Sequence, residues 1–152
     1  HYELELIVAL KSGGSNITEA EAYNHIYGFG IGLDMTRRDL QGVCKKMGRP
    51  WEIGKAFERS APMGKLTPMS EVGNMEKGNI NLTVNGEVRQ NGDLDMMIWK
   101  IPEQIAHLSK FYDISSGDLI MTGTPAGVGP IVKGDKLIGK IDHLETIEII
   151  VV

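Results

Sequence analysis

A chain of 152 residues, 41% hydrophobic and 24% charged, is long enough to bury one substantial core and has the composition of a globular domain. Its formal net charge of −4, with no basic stripe carrying interleaved aromatics, gives no support to nucleic-acid binding, and its one cysteine, Cys44, excludes an internal disulfide and a cysteine-based zinc site. The longest apolar runs, Leu6–Leu10 and Ile147–Val152, are too short to span a bilayer and no signal or targeting segment is visible, so a reducing, cytoplasmic setting is expected.

The chain enters a strand at its first residues, with His1 in place of Met and no preceding turn or cap, as expected of a fragment. Strand side chains alternate between faces, so His1, Glu3 and Glu5 point one way and Tyr2, Leu4 and Leu6 the other. Neighbouring carboxylates repel, and a hard divalent cation, which prefers oxygen ligands, removes that cost. A solvated strand face accounts for the same pair without a metal.

Gly13-Gly14 then turns the chain, and Thr18-Glu19-Ala20-Glu21 supplies a capping box for a short helix to about Ile26. Tyr27 to Leu33 reads as a strand. Its alternate glycines, Gly28, Gly30 and Gly32, do not form a dinucleotide fingerprint, because Leu33 stands where the third glycine is required. They predict instead the close approach of another backbone or of a ligand. Asp34 ends this strand. It can complete a metal triad with Glu3 and Glu5, leaving roughly three positions of an octahedron for water and substrate; it serves equally well as an N-cap for the helical segment Met35 to Lys46. Within that segment Arg38 and Gln41, three residues apart, share a face from which Arg37 diverges. The run Pro50 to Phe57 then sets Lys55 among apolar and aromatic residues, where burial lowers a lysine pKa and nearby carboxylates raise it.

The segments Asn79–Val84 and Glu87–Gln90 around Asn85-Gly86 predict a β-hairpin with a type I′ turn. The residues Met96, Met97, Ile98 and Trp99 are expected in the core, followed by a helix over Ile101–Phe111 with Pro102 in its first turn. Ser116-Gly117-Asp118 ends that helix ahead of a short strand, Leu119–Thr124. The glycine-rich loop Pro125–Pro130 that follows either aims backbone N–H groups and the Thr124 hydroxyl at an anion or makes a plain tight turn. Two last strands, Lys136–Ile141 and Leu144–Val151, read as structural. With 19 glycines and six prolines, the whole is a sheet-rich chain of short elements with much loop.

Taken together, His1-x-Glu3-x-Glu5, Gly32-Leu33-Asp34-x-x-x-Arg38-x-x-Gln41, Trp51-x-x-x-Lys55, Val84-Asn85-Gly86-Glu87-x-x-Gln90, Ser116-Gly117-Asp118 and Thr122-Gly123-Thr124-Pro125-x-Gly127-Val128-Gly129 closely resemble the fumarylacetoacetate hydrolase family over essentially the whole chain. Each motif is weak alone; their order and spacing are specific. The stretches Gly32–Gln41 and Gly48–Phe57 are most similar to the family's fumarylpyruvate-cleaving branch. The resemblance implies an α+β fold, a mixed β-sheet roll or sandwich with short peripheral helices. Residues 1–152 would form a single catalytic domain lacking its N-terminal segment, usually in a homodimer.

It also implies a Mg²⁺ or Mn²⁺ site, with Ca²⁺ as a possible substitute, whose ligands are Glu3, Glu5 and Asp34. Lys55 matches the family's active-site lysine, Arg38 and Gln41 match substrate-facing positions, and Thr124 matches the turn that holds a carboxylate. The implied substrates are small anionic 2-oxo acids, acylpyruvates, with fumarylpyruvate hydrolysed to fumarate and pyruvate. The family's water-activating His and Glu precede the metal strand, and none of His25, His107 or His143 matches that histidine. Three readings follow: hydrolysis of an acylpyruvate; another family reaction at a similar site, such as oxaloacetate decarboxylation, hydroxy-diene diacid isomerisation or 2-oxo acid hydration; and a non-catalytic dimerising or ligand-binding fragment.

Overall fold

A computed structural model describes all of residues 1–152. The elements are β1 (Leu4–Leu10), α1 (Glu19–Ala22), β2 (Ile26–Leu33), α2 (Arg38–Lys46), α3 (Glu52–Lys55), β3 (Thr67–Pro68), α4 (Met69–Val72), β4 (Asn79–Val84), β5 (Glu87–Asp93), α5 (Ile101–Leu108), β6 (Leu119–Met121), β7 (Lys136–Ile141) and β8 (Ile147–Ile150), with single 3-10 turns at Tyr23–His25 and Leu94–Met96. They build two four-stranded sheets, ordered β3-β2-β1-β6 and β5-β4-β7-β8. Every ladder is antiparallel. The sheets pack face to face, β1 against β4 and β2 against β7, which is the α+β sandwich expected, with antiparallel rather than mixed sheets.

Alternation explains the packing. On β4, Ile80, Leu82 and Val84 are buried while Asn79 is exposed and Asn81 and Thr83 are partly so; on β7, Leu137, Gly139 and Ile141 face inward and Lys136 and Lys140 outward. This is the one-face-buried signature of an antiparallel sandwich. Central β1 is buried over its whole length, and its Leu4, Leu6, Val8 and Leu10 join Phe29, Ile31 and Leu33 of β2 in one apolar cluster with the second sheet. The hairpin turn is as expected, with Asn85 at φ 53° and Gly86 at φ 84° in the left-handed region. The alternate glycines of β2 make room for the protein itself: a Cβ on Gly28 would come within 2.1 Å of the Thr67 carbonyl oxygen in β3, and one on Gly32 within 2.7 Å of the Ile7 side chain.

Two expectations need correction. Met96, Ile98 and Trp99 are exposed, at 73%, 94% and 48%. Asp93 caps the 3-10 turn by accepting from the Asp95 N–H, Leu94 fills the core position, and the chain then runs outward with only Met97 packed on the core. Trp99 lies edge-on to His107, with ring centroids 4.7 Å apart, and His107 in turn meets Phe111. The helix over Ile101–Phe111 stops at Leu108, so Phe111 is also exposed.

Candidate metal centre

The β1–β2 register builds the carboxylate cluster. Leu4 faces Leu33 and Glu5 faces Gly32; one step further the Asp34 N–H donates to the Glu3 carbonyl at 2.8 Å. Glu3, Glu5 and Asp34 each bring one carboxylate oxygen to within 4.8 Å of the others. This is not a solvated strand face, since Glu3 is 8% and Glu5 4% exposed. Nor does Asp34 cap the following helix, because α2 begins only after Arg37.

Two cations from α2 and α3 close on this cluster. Lys55, the last residue of α3, donates to Asp34 Oδ2 at 2.5 Å, Glu3 Oε2 at 2.7 Å and Thr36 Oγ1 at 2.8 Å, which uses all three of its N–H groups. Burial opposes the lysine's charge, but its bonds to Asp34 and Glu3 outweigh burial and raise its pKa above the ordinary value. Arg38 Nη2 donates to Glu3 Oε1 at 2.5 Å and Nη1 to Gln41 Oε1 at 3.1 Å, so the shared face expected of these residues is present. Arg37 diverges, its guanidinium lying 4.3 Å over the Phe57 ring. Burial of Glu3 works against ionisation, yet the Lys55 and Arg38 bonds prevail and hold its pKa below the ordinary value.

Glu5 has no such cation. It accepts from the Gly123 N–H at 2.8 Å. Burial, opposed by that bond and reinforced by the charges of Asp34 and Glu3, pushes its pKa up to about 7. The loop supplying Gly123 is laced to β1: the Thr122 hydroxyl donates to the Leu6 carbonyl at 2.9 Å and the Thr124 hydroxyl to the Leu4 carbonyl at 2.8 Å. Since Thr124 also accepts from Gln90, its hydroxyl proton is committed within the protein, and its contribution to a ligand must come through the loop it anchors. Gly127 sits in this loop at φ 102°, where a Cβ would lie 2.0 Å from the Arg89 carbonyl oxygen. Gly127→Ala is therefore expected to cost roughly 2–4 kcal/mol, read as a lower urea midpoint at unchanged slope.

The donor set is three carboxylate oxygens without nitrogen or sulfur, which suits a hard divalent cation. The local charges make the same point, with three carboxylates facing two cations and Glu5 left to a single backbone N–H. Three histidines lie away from the carboxylate cluster: His25 bonds Ser12, His107 meets Trp99 edge-on, and His143 occupies the β7–β8 turn. The structure adds two residues not singled out by spacing, Thr36, buried and bonded to Lys55, and Gln90. Thr36 carries no sequence signal beyond lying between Asp34 and Arg38.

The two-sheet α+β domain thus gathers three carboxylates, a lysine and an arginine at one strand end. The family model for the fumarylacetoacetate (FAA) hydrolase C-terminal domain matches residues 1–151, and the chain belongs to that family of enzymes acting on carbon–carbon bonds. It is 46% identical over 151 residues to fumarylpyruvate hydrolase from Ralstonia sp, covering 99% of this chain and 78% of that protein. It is 44% identical over 138 residues to an oxaloacetate tautomerase of Escherichia coli strain K12, covering 90% of this chain and 63% of the relative. A crystal structure of fumarylpyruvate hydrolase from Pseudomonas aeruginosa in complex with Mn²⁺ and pyruvate superposes with a TM-score of 0.97 at 49% identity, over 99% of this chain and 65% of that one.

Proposed function

We propose that this chain catalyses divalent-metal-dependent hydrolysis of an acylpyruvate, with fumarylpyruvate as substrate and fumarate and pyruvate as products, in a cytoplasmic homodimer. The observation that carries the reading is the buried carboxylate triad joined to Lys55 and Arg38. A 2-oxo acid brings both a carboxylate for the arginine and an oxo oxygen for the cluster. Similarity to the Ralstonia hydrolase and to the pyruvate complex supports the same assignment.

Glu3, Glu5 and Asp34 would hold Mg²⁺ or Mn²⁺, with Ca²⁺ as a substitute, and the bound cation would supply Lewis acidity toward the 2-oxo oxygen. Arg38, its plane fixed by Glu3 and Gln41, orients the substrate carboxylate through its guanidinium charge. Lys55 reaches a substrate oxygen by releasing its one neutral partner, Thr36 Oγ1, because its bonds to Glu3 and Asp34 are between charged groups and are the stronger. In the reaction, water oxygen adds to the distal carbonyl carbon and the bond from that carbon to the methylene breaks. The electron pair passes to the methylene as pyruvate enolate, which takes a proton, while the acyl part leaves as fumarate. Lys55 holds its positive charge beside the enolate oxygen.

A second reading comes from the Escherichia coli relative: the same anchoring groups serve keto–enol conversion of oxaloacetate, in which a proton moves and no carbon–carbon bond breaks. Loss of the ultraviolet enol absorbance of fumarylpyruvate by the full-length protein, followed with and without Mn²⁺ or Mg²⁺, separates the two. Metal-dependent loss with equal yields of fumarate and pyruvate is expected. No loss from folded, metal-loaded protein that converts oxaloacetate enol would transfer the assignment to the tautomerase. In the active protein, Lys55→Met is expected to lower kcat by about a hundredfold with metal affinity unchanged or tighter; weakened metal binding at unchanged kcat would make Lys55 a purely structural residue.

A further inference from the structure

Gln90 is a polar side chain only 1% exposed. Its Oε1 accepts from the Leu4 N–H at 3.0 Å, and its Nε2 donates to Thr124 Oγ1 at 2.8 Å and to the Pro125 carbonyl at 2.9 Å. The Thr124 hydroxyl completes a ring by donating to the Leu4 carbonyl at 2.8 Å. Donor and acceptor roles around this ring are mutually fixed: a hydroxyl that receives the Gln90 N–H has its own proton free for Leu4, and an amide that donates twice at nitrogen presents oxygen to the Leu4 N–H.

The position of the ring gives it consequence. The Leu4 peptide lies between Glu3 and Glu5, and Thr124 directly follows Gly123, whose N–H holds Glu5. The side chain arrives there through a β-bulge. Leu82 faces Gln90 whereas Thr83 faces Val88, leaving Arg89 as the extra residue of β5. Without the bulge, Val88 and Gln90, two apart on one strand, would share a face; with it Val88 is 62% exposed while Gln90 is sealed inside. Gly127 lies against the same bulge, where a Cβ would collide with the Arg89 carbonyl.

We propose that Gln90 is a positioning residue of the metal centre, its one amide setting the Glu3–Glu5 strand and the Gly123–Thr124 loop at a fixed separation without touching metal or substrate. The inference rests on the carboxylate triad being the metal site. An apolar side chain of equal size would leave the Leu4 N–H and Pro125 carbonyl buried without these partners, freeing Glu5 to shift relative to Glu3 and Asp34.

The test compares Gln90→Met with Ile105→Val, a core change in α5 away from the centre, in the full-length protein at a temperature where every variant is folded. In Gln90→Met the Leu4 and Gly123 amides are expected to lose hydrogen-exchange protection while those of β7 and β8 keep theirs. Its Mn²⁺ affinity, followed by paramagnetic resonance of the free ion, is expected to fall about ten- to a hundredfold, the range for partners that orient metal ligands; Ile105→Val leaves both readouts unchanged. Should Gln90→Met not fold, Gln90→Glu, the same shape without the two N–H donors, is expected to keep the Leu4 N–H bonded, to lose protection at Gly123 and to weaken Mn²⁺ binding within the same range. Unchanged protection at Leu4 and Gly123, or lost protection with unweakened Mn²⁺ binding, overturns the proposal. Absence of Mn²⁺ binding by the unsubstituted protein overturns the metal assignment and this role with it; the exchange pattern of Gln90→Met then still reports whether the ring holds strand and loop together, which distinguishes that failure from a failure of Gln90 alone.

Discussion

Asp34→Ala is expected to abolish metal-dependent turnover of the full-length protein and to weaken Mn²⁺ binding by more than about a hundredfold, beyond the loss typical of a missing outer partner, while the domain still unfolds cooperatively. The argument is one of ligands and of charge. Asp34 supplies one of the three oxygens of the cluster and one of the two carboxylates that Lys55 grips. Its removal leaves two carboxylates facing Lys55 and Arg38, so the local excess of negative charge that favours a divalent cation is gone. The fold should tolerate the change: the Asp34 side chain is 22% exposed, its backbone bond to Glu3 is unaffected, and Lys55 keeps Glu3 and Thr36. Calorimetric titration with Mn²⁺ provides the check, with the urea midpoint as control for folding. Wild-type affinity and turnover in Asp34→Ala would sink the metal assignment.

The parts of this centre legible in the sequence are those set by local periodicity. A period of two places Glu3 and Glu5 on one strand face, and a period near 3.6 puts Arg38 beside Gln41 with Arg37 diverging from them. The hairpin at Asn85-Gly86 was legible because its turn needs two left-handed residues in succession. What local pattern could not decide was whether Asp34 capped a helix or joined the carboxylates, since the choice depends on the β1–β2 register and on where α2 starts. Nor could it settle the charge of Lys55, which is fixed by partners 21 and 52 residues away in the chain. The family resemblance supplied those roles; spacing did not. The burial of Met96, Ile98 and Trp99 was misjudged because apolar composition says nothing of a single 3-10 turn that spends the core position on Leu94. Gln90 stood in a family motif, but its burial was not legible, as the bulge at Arg89 breaks the alternation from which its face would be read.

The metal-free protein is expected to become less stable as pH rises from about 4.5 to about 7, and metal should reverse that slope. Glu5 carries the effect. Its pKa stands at about 7 against an ordinary 4.5, so on raising pH the unfolded chain ionises first while the folded protein must keep the proton or bear a buried charge. Stability contributed by the protonated form is complete below about 4.5 and lost by about 7, at most roughly 3 kcal/mol. Glu3 and Lys55 act outside this window, while the His1 amino group, its pKa lowered from 8.0 by burial, opposes the trend at its upper end. Glu3, held below its ordinary value, contributes stability that fades only as pH falls through its lowered pKa, and Lys55, raised above 10.5, contributes until strongly alkaline pH. A divalent cation held by the proposed triad would bind the ionised Glu5, so its stabilisation should grow over the interval in which the metal-free protein weakens. Scanning calorimetry at about pH 5.5 and about pH 8, in chelator and in Mn²⁺, should show Tm in chelator falling by several degrees between the two while the Mn²⁺-induced rise becomes larger. Glu5→Gln separates this linkage from a general pH effect, because a neutral amide on the same strand and beside the same Gly123 N–H has no proton to lose. That variant should show little of the chelator slope and little Mn²⁺-induced rise at either pH, whereas a slope equal to wild type would assign the effect to some other group and leave Glu5 without its part in the centre.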